Sequence, residues 1–198
     1  MNIFEKVGSW FTDTPPGLIK KPLSKPIEII PPCSVMCFRG NDGMLATDIR
    51  ISEKDREGGN AWSNHTVYCA GGHLTYESVA KGFVPTTIED SMESNSQFKI
   101  YTKMNLTAAE VLTIQAKAKS LRGTKYDFLG LLSFWVPSIF KPSNNRGWCS
   151  EEVEECFWPG IKISGKPANE SSPDDVETYL ESGAAKNEFW VLWDTYNC

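Results

Sequence analysis

Gly147-Trp148-Cys149-Ser150-Glu151-Glu152-Val153 runs from a glycine turn into an acidic stretch that reads as the start of a helix. A thiol in the first turn of a helix faces backbone N–H groups that lack an intrahelical acceptor, at the positive end of the helix dipole. Both effects favour thiolate over thiol, which makes Cys149 a candidate nucleophile. The glutamates behind it complement the dipole, although their charge partly opposes a thiolate. The ordinary alternative is a small core residue, because cysteine is among the most often buried residue types. A base separates the two readings. The chain has two histidines, His65 and His73, both in one apolar, strand-like stretch. Nucleophile and base meet in space, so their order along the chain is immaterial.

The pattern around the histidines predicts a hairpin. Trp62 to Cys69 alternates, which puts His65, Val67 and Cys69 on one face; Gly71-Gly72 supplies a tight turn, and His73 to Val79 returns. Such a hairpin carries Glu77 back beside His65, within side-chain reach across the pair. A carboxylate there can hold the imidazole tautomer and support its charged form. His73, close to the turn, is expected to stand apart from the site.

Further strands are predicted at Ser34 to Phe38, Phe98 to Lys103 and Phe189 to Trp193. Thr107-Ala108-Ala109-Glu110 has the form of a capping box and opens a helix to about Leu121, closed at Gly123. Cys149 to Phe157 forms a short acidic helix that ends at Pro159-Gly160. Ser172-Pro173-Asp174-Asp175 caps a last helix to about Glu181. Turn or loop is expected at 40–43, 52–60 and 142–146.

A length of 198 residues suits one domain with an extension, and seven Trp, ten Phe and six Tyr supply ample apolar area for a core. The net charge of −5 is uneven: the chain from Ser150 onward carries −8 and the rest +3. No basic stripe exists for a nucleic acid to follow, which excludes that partner class. The six cysteines are irregularly spaced and no N-terminal apolar run reads as a signal peptide, so reduced thiols and a cytoplasmic or virion-associated location are expected. Cys33 and Cys37 have no second Cys or Cys/His pair to complete a zinc site; neither a metal nor another cofactor is expected.

The longest apolar stretch, Phe128 to Phe140, is broken by Pro137 and too short to cross a bilayer. It reads as a buried helix and loop beside a cleft, whose candidate wall residues are Tyr126, Trp135 and Trp148. Residues 1–32 differ from the rest. Ile3, Phe4, Val7, Trp10 and Phe11 recur at helical spacing, and prolines at 15, 16, 22, 26, 31 and 32 then forbid a long element. An amphipathic helix with an extended arm is expected over 1–32, packed on the domain or docked on a partner or membrane surface, ahead of a catalytic domain over 33–198.

The order of these pieces resembles a known family. Ser63-Asn64-His65, then Tyr76-Glu77-Ser78, Gly82-Phe83, a helix, Gly123-Thr124-Lys125-Tyr126-Asp127-Phe128 and Trp148-Cys149-Ser150-Glu151-Glu152-Val153 follow one another as in the circularly permuted branch of the NlpC-type papain-like superfamily, especially its YiiX-like members. The resemblance extends from about residue 34 to 193. It implies an α+β fold of papain-like type, a small antiparallel sheet packed against helices with the cysteine at a helix N-terminus. It also implies a triad of Cys149, His65 and Glu77, with the Cys149 backbone N–H as one oxyanion donor. Asn64 directly before the histidine, and Cys156 as a second thiol on the cysteine helix, depart from the pattern without removing a triad member.

The resemblance implies a cysteine hydrolase that cleaves an amide bond, in a peptide or a cell-wall stem peptide, through an acyl-thioester. Two alternatives remain open: a thiol acyltransferase or lipid-ester hydrolase on the same fold, and a non-enzymatic virion-type or interaction protein that has kept the fold.

Overall fold

The computed structural model describes residues 29–40, 62–91, 95–127, 130, 146–157 and 160–197. Most of the expected arm, the loops at 41–43, 52–60 and 142–145, and nearly all of the apolar stretch with Trp135 lie outside the described residues.

The frame is one six-stranded sheet. Its strands are β1 (Ser34–Gly40), β2 (His65–Gly71), β3 (Leu74–Val79), β4 (Gly82–Thr87), β5 (Asn95–Lys103) and β8 (Trp190–Asn197), in the spatial order β4-β3-β2-β1-β5-β8. Every neighbouring pair is antiparallel. Two short strands, β6 (Lys125–Tyr126) and β7 (Arg146–Gly147), pair in parallel beside it. The described helices are α1 (Ile88–Ser91), α2 (Ala108–Ser120), α3 (Cys149–Phe157), α4 (Pro173–Glu181) and α5 (Gly183–Asn187).

Central β1 explains why its sequence is a continuous apolar run. Val35 and Cys37 belong to a core shared with the helices through Val153, Cys156, Val176 and Leu180, whereas Met36 and Phe38 belong to a second cluster with Val67, Phe98, Ile100 and Tyr196. A strand buried on both faces loses polar alternation. The expected capping box is present at α2: Thr107 accepts the Glu110 N–H, and Glu110 accepts the Thr107 N–H. Ser172 and Asp175 form the same reciprocal pair at α4. Cys149 is the first residue of α3, as its sequence implies.

The β2–β3 hairpin turns at Gly71 and Gly72, with φ of 120° and 62° that a side chain rarely adopts. Its ladder is short. Pairing runs from Gly71↔Leu74 to Tyr68↔Tyr76 and stops there, although β2 begins at His65 and β3 continues to Val79. Beyond Tyr68 the two strands no longer pair, and among the described residues 65–67 of β2 have β1 alone as a ladder partner.

Nothing in the hydrophobic pattern announces β4, which contains Pro85. Its outer edge is engaged at Phe83, whose N–H donates to Thr124 O at 2.8 Å and whose carbonyl accepts the Gly123 N–H at 2.9 Å. Gly82 makes that approach feasible: its φ is +102°, and a Cβ there would lie 2.3 Å from Thr124 O. β8, at the opposite side of the sheet, leaves Val191, Leu192 and Trp193 exposed.

Replacing Gly82 with Ala is expected to destabilise the protein, because strained φ alone costs about 1–3 kcal/mol and the carbonyl must also move. A melting temperature lower by roughly 5 °C or more in calorimetry checks this, given about 2–4 °C per kcal/mol for a chain of this size.

Candidate active site

The opened seam between β2 and β3 is where α3 begins. Ser78 Oγ lies 3.5 Å from Gly147 O on the β3 side, and the Thr66 N–H on the β2 side is hydrogen-bonded to the Cys149 sulfur. The turn entering the helix is held from inside. Trp148 is wholly buried and donates its indole N–H to Ser171 O at 2.9 Å; Ser150 Oγ donates to the same carbonyl at 2.6 Å. Glu151 reaches back to the Trp148 N–H, half of a capping box. Gly147 has no room for a side chain, since a Cβ would meet Glu152 Cγ at 2.8 Å.

Cys149, His65 and Glu77 come together. His65 Nε2 is 3.1 Å from Glu77 Oε2, and the ring is also hydrogen-bonded to the Cys149 thiol. With Nε2 engaged by the carboxylate, Nδ1 is the ring nitrogen left for sulfur. His65 and Glu77 meet on a diagonal across the seam: continuing the register would put Glu77 opposite Val67, two residues from His65. A diagonal of about 7–8 Å between Cα atoms suits a long carboxylate and a ring.

The charges support one another. Burial pushes the His65 imidazole down, but the Cys149 charge and hydrogen bond, with those of Glu77, outweigh it and hold its pKa at about 10. Burial likewise pushes the Cys149 thiol up. The His65 charge and hydrogen bond, with the backbone N–H groups of Thr66 and Ser150, bring it net below its ordinary value. A thiolate–imidazolium pair is the form that these interactions favour.

The two glutamates behind Cys149 behave differently from their sequence reading. Glu151 is raised to about 7 by burial, with Asp127 and Glu155 adding to the rise against the Trp148 N–H. Glu152 is raised to about 8 by burial and then by Glu151 and Glu155, and neither of its buried oxygens has a hydrogen-bond partner among the described residues. Below those values they are largely neutral and oppose the thiolate little. Sequence alone offers no sign of this, because it depends on depth within the packed helix.

The remaining candidates are placed as follows. His73 stands apart, exposed, with Nδ1 2.6 Å from Glu89 Oε1. Asp127 accepts the Gly130 N–H at 2.9 Å, and Glu77 holds the imidazole. Tyr126 is buried near Cys149, whose charge adds to burial in raising its phenol well above the usual range. Trp148, expected along the cleft, faces the interior, and its ring lies against Gly130. The second thiol, Cys156, is wholly buried, bonds to Glu152 O at 3.2 Å and is pushed well up by burial, which makes it a poor nucleophile.

One residue missed by the sequence reading also belongs here. Asp174, on α4, accepts the Trp62 N–H at 2.9 Å and the Ser63 N–H, just ahead of His65. The Ser172-Pro173-Asp174-Asp175 run signals a helix start, and Asp175 indeed caps it; nothing in the run says that its neighbour reaches another segment.

Among the described residues no group of three or more His, Cys, Asp or Glu is arranged to hold a metal ion, and no helix is long and apolar enough to cross a membrane. No protein-family model and no curated protein sequence matches the chain. Among solved structures, the chain is similar to the crystal structure of metalloprotein yiiX from Escherichia coli O157:H7, DUF1105. The TM-score is 0.56 at 14% identity, over 83% of this chain and 97% of that one. At that identity the likeness concerns the fold alone: this α+β chain, built on a six-stranded antiparallel sheet, is distantly related in structure to a YiiX-type protein.

Proposed function

We propose that the protein is a cysteine hydrolase that cleaves an amide bond, in a peptide or a cell-wall stem peptide, through an acyl-thioester. The observation that carries this reading is the Cys149–His65–Glu77 chain of hydrogen bonds, running from a buried thiol to a partly exposed imidazole and carboxylate, with the sulfur at the first residue of a helix. The likeness to a YiiX-type structure agrees with a papain-like hydrolase fold.

Each residue then has a role that its environment suits. The Cys149 thiolate attacks the substrate carbonyl carbon, forming a C–S bond and an oxyanion, while the N–H of Cys149 at the helix start is a donor for that oxyanion. The His65 imidazolium gives its proton to the leaving amine as the C–N bond breaks. Water then attacks the thioester carbon, His65 takes a proton from it, and cleavage of the C–S bond releases the acid and restores the thiolate. Glu77 keeps the ring oriented and favours its charged form.

Iodoacetamide labelling of Cys149, read by mass spectrometry, tests the pair. Replacing His65 with Ala is expected to slow labelling at neutral pH about tenfold or more, since each pKa unit regained by the thiol removes about nine-tenths of the thiolate. Replacing His73 with Ala should change it little. Equal losses in both variants would remove His65 from its role.

The pH profile is a second check. Thiolate accumulates as pH rises through the depressed Cys149 value, below the ordinary 9.0, and the proton that His65 supplies to the leaving group is lost as pH rises through about 10. Turnover of an amide substrate should therefore be bell-shaped, with its acid limb below the ordinary thiol value. Replacing Glu77 with Gln should lower the alkaline limb and reduce kcat with little change in melting temperature. A covalent acyl adduct on Cys149 from peptide amides would support the amide reading, whereas an adduct only from lipid esters would move the chemistry to acyl chains.

A further inference from the structure

The strand segment that carries His65 is held in an unusual way. Antiparallel pairing supports it from β1, where Phe38 opposes His65, but the β3 ladder reaches only to Tyr68, three residues short of it. A central strand normally has neighbours on both sides, and losing one leaves the backbone less constrained at the residue that must aim an imidazole.

Other contacts meet the chain just before His65. Asp174 is buried at the first turn of α4, and its carboxylate accepts the N–H groups of Trp62 and Ser63. Ser63 Oγ donates to His65 O at 3.2 Å, and the Asn64 N–H donates to Phe38 O at 2.9 Å. Lys99 Nζ lies 4.2 Å from the centre of the Trp62 ring. The same lysine ties α4 to β5 through Glu177 at 2.5 Å and Glu181 at 2.8 Å. Tyr101 on β5 adds a hydrogen bond to Glu181 at 2.9 Å. A continuous set of polar contacts thus runs from β5 through α4 to the backbone ahead of the histidine. Two backbone N–H groups on one carboxylate form a charge-assisted clamp, stronger than a pair of neutral bonds.

We propose that Asp174 is a positioning residue for His65: its carboxylate clamps Trp62 and Ser63, supplying to the open end of β2 the restraint that β3 does not give, and so sets the imidazole against the Cys149 sulfur. This rests on the proposed role of the Cys149–His65 pair. It differs from the roles of Glu77, which touches the ring, and of Asp175, which caps α4. Asp174 acts only through the main chain.

The test uses the full chain in four forms: wild type, Asp174→Ala, Asp174→Asn and Glu177→Gln. The last removes the charge from a tie between α4 and β5 but leaves both Asp174 bonds, and so serves as a control for loosening α4. For each, iodoacetamide labelling of Cys149 is followed against pH, with melting temperature measured alongside. In Asp174→Ala the midpoint of the labelling profile should rise by about one unit toward the ordinary thiol value, a roughly tenfold slower rate at pH 7. Asp174→Asn, which keeps one carbonyl acceptor, should fall between it and wild type and covers the case in which the Ala variant does not fold. Glu177→Gln should lose melting temperature while keeping the wild-type midpoint.

A wild-type midpoint in folded Asp174→Ala or Asp174→Asn, whatever the change in melting temperature, would overturn the positioning role alone. So would an equal rise in Glu177→Gln, because the effect would then come from loosening α4 in general. An ordinary thiol midpoint already in the wild type would overturn the catalytic reading, and the role of Asp174 with it.

Discussion

The seating of the α3 N-terminus in the gap between β2 and β3 is the contact on which the other features depend. A closed hairpin ladder would satisfy residues 65–67 of β2 through β3. In this chain the ladder stops at Tyr68↔Tyr76, and the Thr66 N–H meets the Cys149 sulfur instead. Buried backbone donors must find acceptors, so the open seam and the helix end complement each other. The anchors that hold the helix there are ordinary: an indole and a hydroxyl on one carbonyl, Ser171 O, and a glycine at 147 that leaves space for Glu152.

This arrangement concentrates ionisable groups in a largely buried region, with opposite consequences for each. His65 and Cys149 gain from mutual proximity more than burial takes from them. Glu151 and Glu152 have no comparable partner and are pushed toward their neutral forms. Removing isolated charges from water costs several kcal/mol per ion, and neutralisation is the less expensive outcome. The glutamates remain useful to the helix all the same. Glu151 reaches the N–H of Trp148, and Glu152 fills the space beside Gly147.

Much of this was legible in residue types and spacing because the signals were local. The Thr107–Glu110 capping box, the Gly71-Gly72 turn, the start of α3 at Cys149 and the approach of Glu77 to His65 each follow from a few neighbouring positions. β4 was not legible, because a six-residue run containing Pro85 lacks the usual strand signature and its outer edge is completed by Gly123 and Thr124 from elsewhere in the chain. α5, with five residues, is too short for an apolar pattern to recur at helical spacing. The end of the β2–β3 ladder, the interior setting of Trp148 and the reach of Asp174 to Trp62 over 112 positions are products of tertiary packing, which no local pattern carries.

The two sides of the sheet also differ in what they offer to another molecule. β4 carries a proline without an N–H, and its Phe83 is already bonded to Gly123 and Thr124. Among the described residues β8 has no such device and presents Val191, Leu192 and Trp193. A sheet with one blocked and one accessible edge cannot add copies indefinitely through strand pairing. Association along β8 would join two molecules about a two-fold axis and then terminate, because each would turn its blocked edge outward. Edge asymmetry of this kind favours a closed pair over a fibre.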